Sequence, residues 1–232
     1  MGQSYRAAYS DNAYLRVIWG CEKNILDDII SAYCGNNSPI RLLDFACGTG
    51  RILNYLKDRT RVAIGVDISR SMLEVARRDI PDGNLIEADL TEHDVLGGIT
   101  FNLITAFRFF PNAQPPLRRQ AMGVLRRHLD ENGYLVFNNH KNTVSARNRL
   151  ARLCGRRGFS GMSPDEVTTL LTDNKLKLVR VYALGIFPAS ENRLLLPVWA
   201  LRALETALSR VSLLRNYGQN LIFVCRPDRS GG

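Results

Sequence analysis

The sequence predicts a doubly wound α/β domain: a mostly parallel β-sheet with helices on both faces. Three observations carry this. Short apolar runs alternate with helical stretches across residues 41–137, the pattern of right-handed crossovers between parallel strands. The first run leads through a glycine turn, Gly48-Thr49-Gly50, into a helix. An aspartate stands at or near the end of each of the first three runs, at Asp44, Asp67 and Asp89. The 232 residues suit one such domain with room for a covering insertion.

The elements follow in order. Residues 5–30 read as a helix, with Tyr5, Tyr9 and Tyr14 ahead of its apolar pairs. Residues 41–46 form a short apolar run suited to a buried parallel strand. Residues 52–56 read as a helix, 61–67 as a strand, 71–78 as a helix, and 84–88 and 101–106 as the next two strands. A long helix spans 116–129, and a fifth strand spans 133–137. Residues 144–154 read as a helix carrying Arg147, Arg149 and Arg152. Ser163-Pro164-Asp165-Glu166 starts another: Ser163 caps, Pro164 fits the first turn, and Glu166 completes a capping box. Residues 177–184 alternate like a strand, Pro197 opens a helix running to about Arg215, and 221–225 make a last strand ended by Pro227. The tail, 228–232, reads as disordered. This is one domain over 1–232, with an N-terminal helical cap (1–39), a core (40–140) and a covering part (141–227) that holds the last two strands.

Composition narrows the class. With 45% hydrophobic and 23% charged residues the chain reads as globular, and no run offers the roughly 18 apolar residues of a membrane span. Residues 1–11 lack a basic end followed by an apolar run, so they do not read as a secretory signal. Five scattered cysteines show neither zinc spacing nor a disulfide framework, which predicts a reducing cytoplasm and no metal. The net charge of +9 lies wholly after His140: residues 1–140 hold 16 basic and 16 acidic side chains, residues 141–232 hold 15 and 6. Two readings stand, a solvated basic surface or an anionic partner.

The loop Asp44-Phe45-Ala46-Cys47-Gly48-Thr49-Gly50 joins the first strand to the first crossover helix. Glycines there let the chain turn sharply and let a ligand approach without a Cβ in the way. The helix start presents free N–H groups. Asp67, 23 residues after Asp44, stands where a carboxylate can hold a ribose diol. Asp89 can accept a bond from an adenine amino group. A nicotinamide fingerprint wants a third glycine three residues after Gly50, and Leu53 stands there instead.

The run from Leu43 to Gly50, then Gly65-Val66-Asp67-Ile68-Ser69 with Met72-Leu73, then Glu87-Ala88-Asp89-Leu90, resembles the class I S-adenosylmethionine-dependent methyltransferases. The resemblance covers about residues 40–140, and the order of elements carries it to Pro227. It implies a Rossmann-like sheet of seven strands with an antiparallel last strand, a helical insertion near the C-terminus, and S-adenosylmethionine as cofactor. It implies that Gly48 and Gly50, with Cys47 in the same loop, lie against the methionine part and sugar. Ala46 and the Phe107 backbone would hold the amino-acid end, with Asp44 beneath its ammonium. Asp67 would bind the ribose hydroxyls, Ile68 and Met72 would flank the adenine, and Asp89 and Leu90 would stand at its edge. Tyr14 lies where relatives bring an N-terminal aromatic over the cofactor. Two residues depart from the pattern: Ala46 replaces the first glycine, and Asn102 stands where an acidic residue often opens the fourth strand.

Methyl transfer is an in-line displacement from a sulfonium, so the protein aligns a nucleophile and excludes water. A hydroxyl nucleophile also needs a base, ideally with a pKa near ~6.5. His140, after the fifth strand in Asn138-Asn139-His140-Lys141, is the candidate; the alternative is a loop histidine satisfied by backbone. His128 reads as a surface residue near its helix end, and His93 as a loop residue. Arg108, in Phe107-Arg108-Phe109-Phe110, faces the same edge and suits a clamp on an anionic group.

In the covering part, Arg147, Arg149, Arg152, Arg156 and Arg157 crowd together. The helix opened by Pro197 has Ala200, Leu201, Leu204, Ala207, Leu208, Val211 and Leu214 on one face, and Arg202, Glu205, Ser209 and Ser212 on the other. It either packs on the domain's own sheet or meets a lipid-linked substrate as an interfacial helix. The expected acceptor is a small molecule, sugar or lipid-linked group, attacked through oxygen or nitrogen. An anionic acceptor and peripheral contact at the inner membrane face would account for the arginines. No Asn-Pro-Pro-aromatic sequence follows the fourth strand, and Phe110-Pro111-Asn112 is not an equivalent, which makes nucleic acid secondary. RNA methylation and a cofactor-binding protein without turnover remain as alternatives.

Overall fold

Seven strands pair into one sheet: β1 (Arg41–Phe45), β2 (Val62–Asp67), β3 (Asn84–Glu87), β4 (Phe101–Ala106), β5 (Leu129–Asn139), β6 (Leu176–Leu184) and β7 (Asn220–Pro227). The structure is a computed structural model and describes residues 12–34, 39–186, 196–209, 211 and 214–229. The expected helix over Tyr5 and Tyr9 lies outside these. The strand order is β3-β2-β1-β4-β5-β7-β6. The first five strands run parallel, and β7 runs antiparallel to both β5 and β6. From β1 the chain winds outward to β3, then returns to β4 on β1's other side. The strand order reverses at the β1/β4 boundary, where an open α/β sheet leaves a crevice at its carboxyl edge.

Alternation along each strand makes two cores. Leu43 and Phe45 face one layer with Ile104, Phe137 and Phe223. Leu42 faces the other, with Leu103, Val136, Ile222 and Val224. Helices α1 (Ala13–Ile29), α2 (Arg51–Leu56), α3 (Arg70–Asp79), α4 (Pro115–His128), α5 (Ala146–Leu153), α6 (Pro164–Asp173) and α7 (Val198–Leu208) cover or flank the sheet. The predicted capping box opens α6: Glu166 N–H donates to Ser163 Oγ at 3.2 Å, and Ser163 N–H donates to Glu166 Oε2 at 2.7 Å. Asn102 replaces an acidic residue without loss to the fold, because its amide bridges strands and loop: Oδ1 accepts from Arg41 N–H, and Nδ2 donates to Pro39 O.

Five expectations are corrected. The fifth strand starts at Leu129 rather than Gly133, because Leu129 pairs with Phe101 and takes the residue expected to end α4. His128 is not a surface residue: it is 2% exposed, its Nδ1 lies 2.8 Å from Ile99 O, and its Nε2 lies 3.4 Å from Asp94. The helix opened by Pro197 ends at Leu208, well short of Arg215. The backbone beyond is held elsewhere, with Asn142 Nδ2 donating to the carbonyls of Asn216 and Gly218. Glu205, placed on that helix's polar face, is buried and accepts from the N–H groups of Gly185 and Ile186. The helix packs mainly on α1, with fewer contacts to β6. Of the tail, Asp228 and Arg229 are tied down, by Asp228 N–H to Lys175 O and by Arg229 to Glu131 O. No helix among the described residues is long and apolar enough to cross a membrane.

Candidate active site

A cleft of about 610 Å³ opens at the carboxyl edge of the sheet. Its walls come from the loops after β1, β2, β4 and β5 and from the first turns of the helices that follow.

One end is built from backbone. Ala46, Gly48 and Gly50 all have left-handed φ, at 52°, 56° and 73°. The two glycines serve different purposes. A Cβ on Gly48 would meet no atom within 4 Å, and Gly48 lines the cleft. A Cβ on Gly50 would come within 2.9 Å of Ile80 Cδ1 and 3.2 Å of Ala76 Cβ, so Gly50 lets α2 start against α3. Asp67 fixes the loop: its Oδ2 accepts from Gly48 N–H and its Oδ1 from Ser69 N–H, both at 2.8 Å. Asp44 is 1% exposed. It accepts from Thr105 Oγ1 at 2.7 Å and from Leu53 N–H at 3.2 Å. Burial pushes its carboxyl up to about 7, against the opposing pull of those bonds and of Arg51. Burial also pushes the Cys47 thiol up, so it is not a thiolate near neutral pH.

The other end is built from side chains. It holds Phe107, Arg108, Phe109, Asn112, Ala113, Leu117, His140 and Lys141. Arg108 has a left-handed backbone, φ 62°, held by its N–H donating to Asn138 Oδ1 at 2.6 Å. His140 is largely buried, and its Nδ1 has no hydrogen-bond partner among the described residues. Burial, then the charges of Arg108 and Lys141, push its imidazole down to about 3. It is therefore neutral across the ordinary pH range, well below the value near 6.5 expected of it.

Of the residues singled out in the sequence, Asp44, Ala46, Cys47, Gly48, Asp67, Met72, Phe107, Arg108 and His140 line this one cleft. Five others do not. Gly50 faces α3; Leu90 is buried in the core; Ile68 is 70% exposed. Asp89 Oδ1 accepts from the N–H and hydroxyl of Thr91, a local turn. Tyr14, in the first turn of α1, packs beside the core, its hydroxyl close to Gly185. The sequence reading missed Ser69, Arg51 and Lys141, although each neighbours a motif residue. It had no local signal for Ala113 and Leu117.

The comparisons agree with this geometry. A family model described as a methyltransferase domain matches residues 42–133. An uncharacterized methyltransferase of Bacillus cytotoxicus is 26% identical over 155 residues, which is 65% of this chain and 68% of that one. A dTDP-3-amino-3,6-dideoxy-alpha-D-glucopyranose N,N-dimethyltransferase of Streptomyces fradiae is 39% identical over 78 residues, 33% of this chain and 30% of that one. The crystal structure of an S-adenosylmethionine-dependent methyltransferase from Clostridium acetobutylicum superposes with a TM-score of 0.68 at 13% identity, over 97% of this chain and 98% of that one. Residues 42–133 thus carry the signature of a methyltransferase domain, and the fold is one shared with S-adenosylmethionine-dependent methyltransferases. The protein is an enzyme, and its cofactor is S-adenosylmethionine.

Proposed function

We propose that the protein methylates a small-molecule or sugar acceptor at nitrogen or oxygen, with the cofactor at the glycine-loop end of the cleft and the acceptor at the His140 end. The observation that carries this is the joining of the two ends in a single cleft. Gly48 leaves space where a ligand can approach the backbone, and Asp67 and Asp44 line that end. Asp67 has lone pairs left for the ribose hydroxyls beside its two backbone bonds, and Asp44 offers a carboxylate to the cofactor's ammonium. S-adenosylmethionine, when bound, supplies a methyl group on a sulfonium that becomes neutral as the new bond forms. His140 lines that end as a neutral imidazole; held at about 3 it is a weak base, and it takes the proton the nucleophile loses where a bound acceptor offsets the Arg108 and Lys141 charges that oppose its protonation. The sugar reading draws on the Streptomyces fradiae relative, which is an aminosugar N,N-dimethyltransferase by name.

Labelled S-adenosylmethionine offered with fractionated cell extract tests this. Label entering the glycan or small-metabolite pool with wild type, and lost with Asp67→Ala, is the expected result. Label in RNA would replace this reading with RNA methylation. Cofactor binding with no label in any pool would leave a binding protein without turnover.

A second reading, peripheral contact with an anionic membrane, rests on α5. That helix exposes Leu150 (59%) and Leu153 (85%), with Arg147, Arg156 and Arg157 exposed on or just beyond it. Arg149 and Arg152 are committed to the backbone carbonyls of Val144 and Thr143. Co-sedimentation with anionic vesicles is expected to fall in a Leu150→Ser/Leu153→Ser variant. Equal binding to neutral and anionic vesicles would overturn this reading.

A further inference from the structure

The acceptor end of the cleft carries positive charge set on a stiff frame. Arg108 and Lys141 both line it, and both stand close enough to His140 to oppose its protonation. The Lys141 ammonium forms no ion pair among the described residues. Among the described residues, the carboxylates that line the cleft are Asp44 and Asp67, at the opposite end, where Thr105, Leu53, Gly48 and Ser69 hold them.

The frame is a buried polar relay. Asn138, which holds the Arg108 backbone, donates through Nδ2 to Asn220 Oδ1 at 2.9 Å. Asn220 Nδ2 donates to Glu22 Oε1 at 3.0 Å, and Glu22 Oε2 pairs with Arg51 at 2.7 Å. Asn138 and Glu22 are fully buried, and Asn220 nearly so. Arg51 opens α2 directly behind the glycine loop and stacks on Trp19. The relay thus ties the strained backbone of Arg108 to the helix at the cofactor end. Lys141 is fixed differently: a Cβ on Gly161 would lie 1.9 Å from Lys141 O, so a neighbouring loop packs hard against its backbone. Left-handed backbone at a non-glycine residue costs stability and persists where the surroundings over-determine it. Here it sets Arg108 in the wall of the cleft beside His140.

We infer that Arg108 and Lys141 form an anion subsite that holds a carboxylate or phosphate group of the acceptor. This rests on the methyltransferase reading and names the acceptor's charge. The guanidinium fork suits bidentate contact with either group, and the lysine adds a point charge. Anchoring the acceptor by its anion turns its nucleophile toward the methyl group and the neutral imidazole.

The test uses full-length protein saturated with S-adenosylhomocysteine, whose binding is first measured by calorimetry. Inorganic phosphate, and separately acetate, are then titrated at constant ionic strength while the His140 imidazole proton signal is followed. That signal is assigned by its loss in His140→Gln. A saturable shift with either anion is expected, weakened at least about fivefold in Lys141→Gln and in Arg108→Gln and unchanged in the surface control Arg77→Gln. The two anions distinguish a phosphate from a carboxylate. No saturable shift with either, or equal affinity in wild type and Lys141→Gln, overturns the inference. Failure of S-adenosylhomocysteine to bind in the first step overturns the methyltransferase reading instead. Circular dichroism confirms that each variant is folded.

Discussion

The two ends of the cleft are built by different means. The glycine-loop end is made mostly by local chain geometry: three left-handed residues within five positions, and two aspartates bonded to N–H groups 2 to 19 positions away, with the Thr105 hydroxyl of the adjoining strand as the one distant partner. The acceptor end is made by side chains from distant parts of the chain, above all the relay from Arg51 through Glu22, Asn220 and Asn138 to Arg108. Local geometry tolerates change around it and serves a cofactor common to many enzymes. In a long-range frame each member depends on the others. The difference shows that a single substitution reaches further at the side-chain end than at the backbone end.

Changes at the acceptor end are expected to affect turnover or folding most. His140→Ala is expected to lower turnover about 10²–10⁴-fold, which is about 3–5 kcal/mol of barrier, with cofactor affinity unchanged. Because burial and two cations hold His140 down to about 3, the wild-type rate is expected to show no acid limb near 6.5. The linkage sign follows: a depressed folded value contributes stability above the unfolded value of ~6.5, lost as pH falls toward the folded value. Turnover within a few-fold of wild type would return His140 to a structural role and favour an amine nucleophile.

Asn138→Ala strikes the frame itself. It leaves Arg108 N–H and Asn220 Oδ1 buried without their partner, at about 1–3 kcal/mol each. The expected loss of about 2–6 kcal/mol is read as a fall in denaturant midpoint. Stability within ~0.5 kcal/mol of wild type would show that the relay does not hold the acceptor end.

Gly48→Ala probes the other end and is expected to separate stability from binding. The added Cβ meets open space, so the folding cost is only the left-handed strain of about 1–2 kcal/mol. Affinity for S-adenosylhomocysteine is expected to fall at least about tenfold by calorimetry, because the methyl group would enter the cleft. Unchanged affinity would move the cofactor away from Gly48.

The smallest expected effect is a proton. Burial raises Asp44 to about 7, so part of its population carries a proton near neutral pH. An ammonium beside it draws that value down, so cofactor binding releases protons near neutral pH, and affinity rises with pH through neutrality. For folding the sign is opposite to that of His140: the raised value contributes stability below the unfolded value of ~3.9, lost as pH rises through 7. Calorimetry in two buffers of different ionisation heat reads the proton directly. Identical heats would place the ammonium elsewhere.

Much of the fold was legible because its signals are local. The apolar runs, the glycine turn and the capping box of α6 each depend on residues within a few positions. Element ends were less legible. Leu129 continues the apolar pattern of α4, yet pairing with Phe101 makes it strand. Val211 and Leu214 continue the stripe of α7, yet the carbonyls beyond them are held by Asn142. In the site, the motif residues next to the glycine loop line the cleft, while Leu90 packs in the core and Gly50 against α3.

By itself, the sequence determined the order of elements, the glycine loop with its aspartates, and through them the cofactor class. Period and turn chemistry are written in adjacent residues and survive any packing. Tertiary structure alone decided that His128 and Glu205 are buried, that His140 is neutral, and that Arg108 stands on strained backbone. The physical reason is distance along the chain. Charge state and burial depend on what packs nearby, and in the relay those partners come from 82 and 198 residues away.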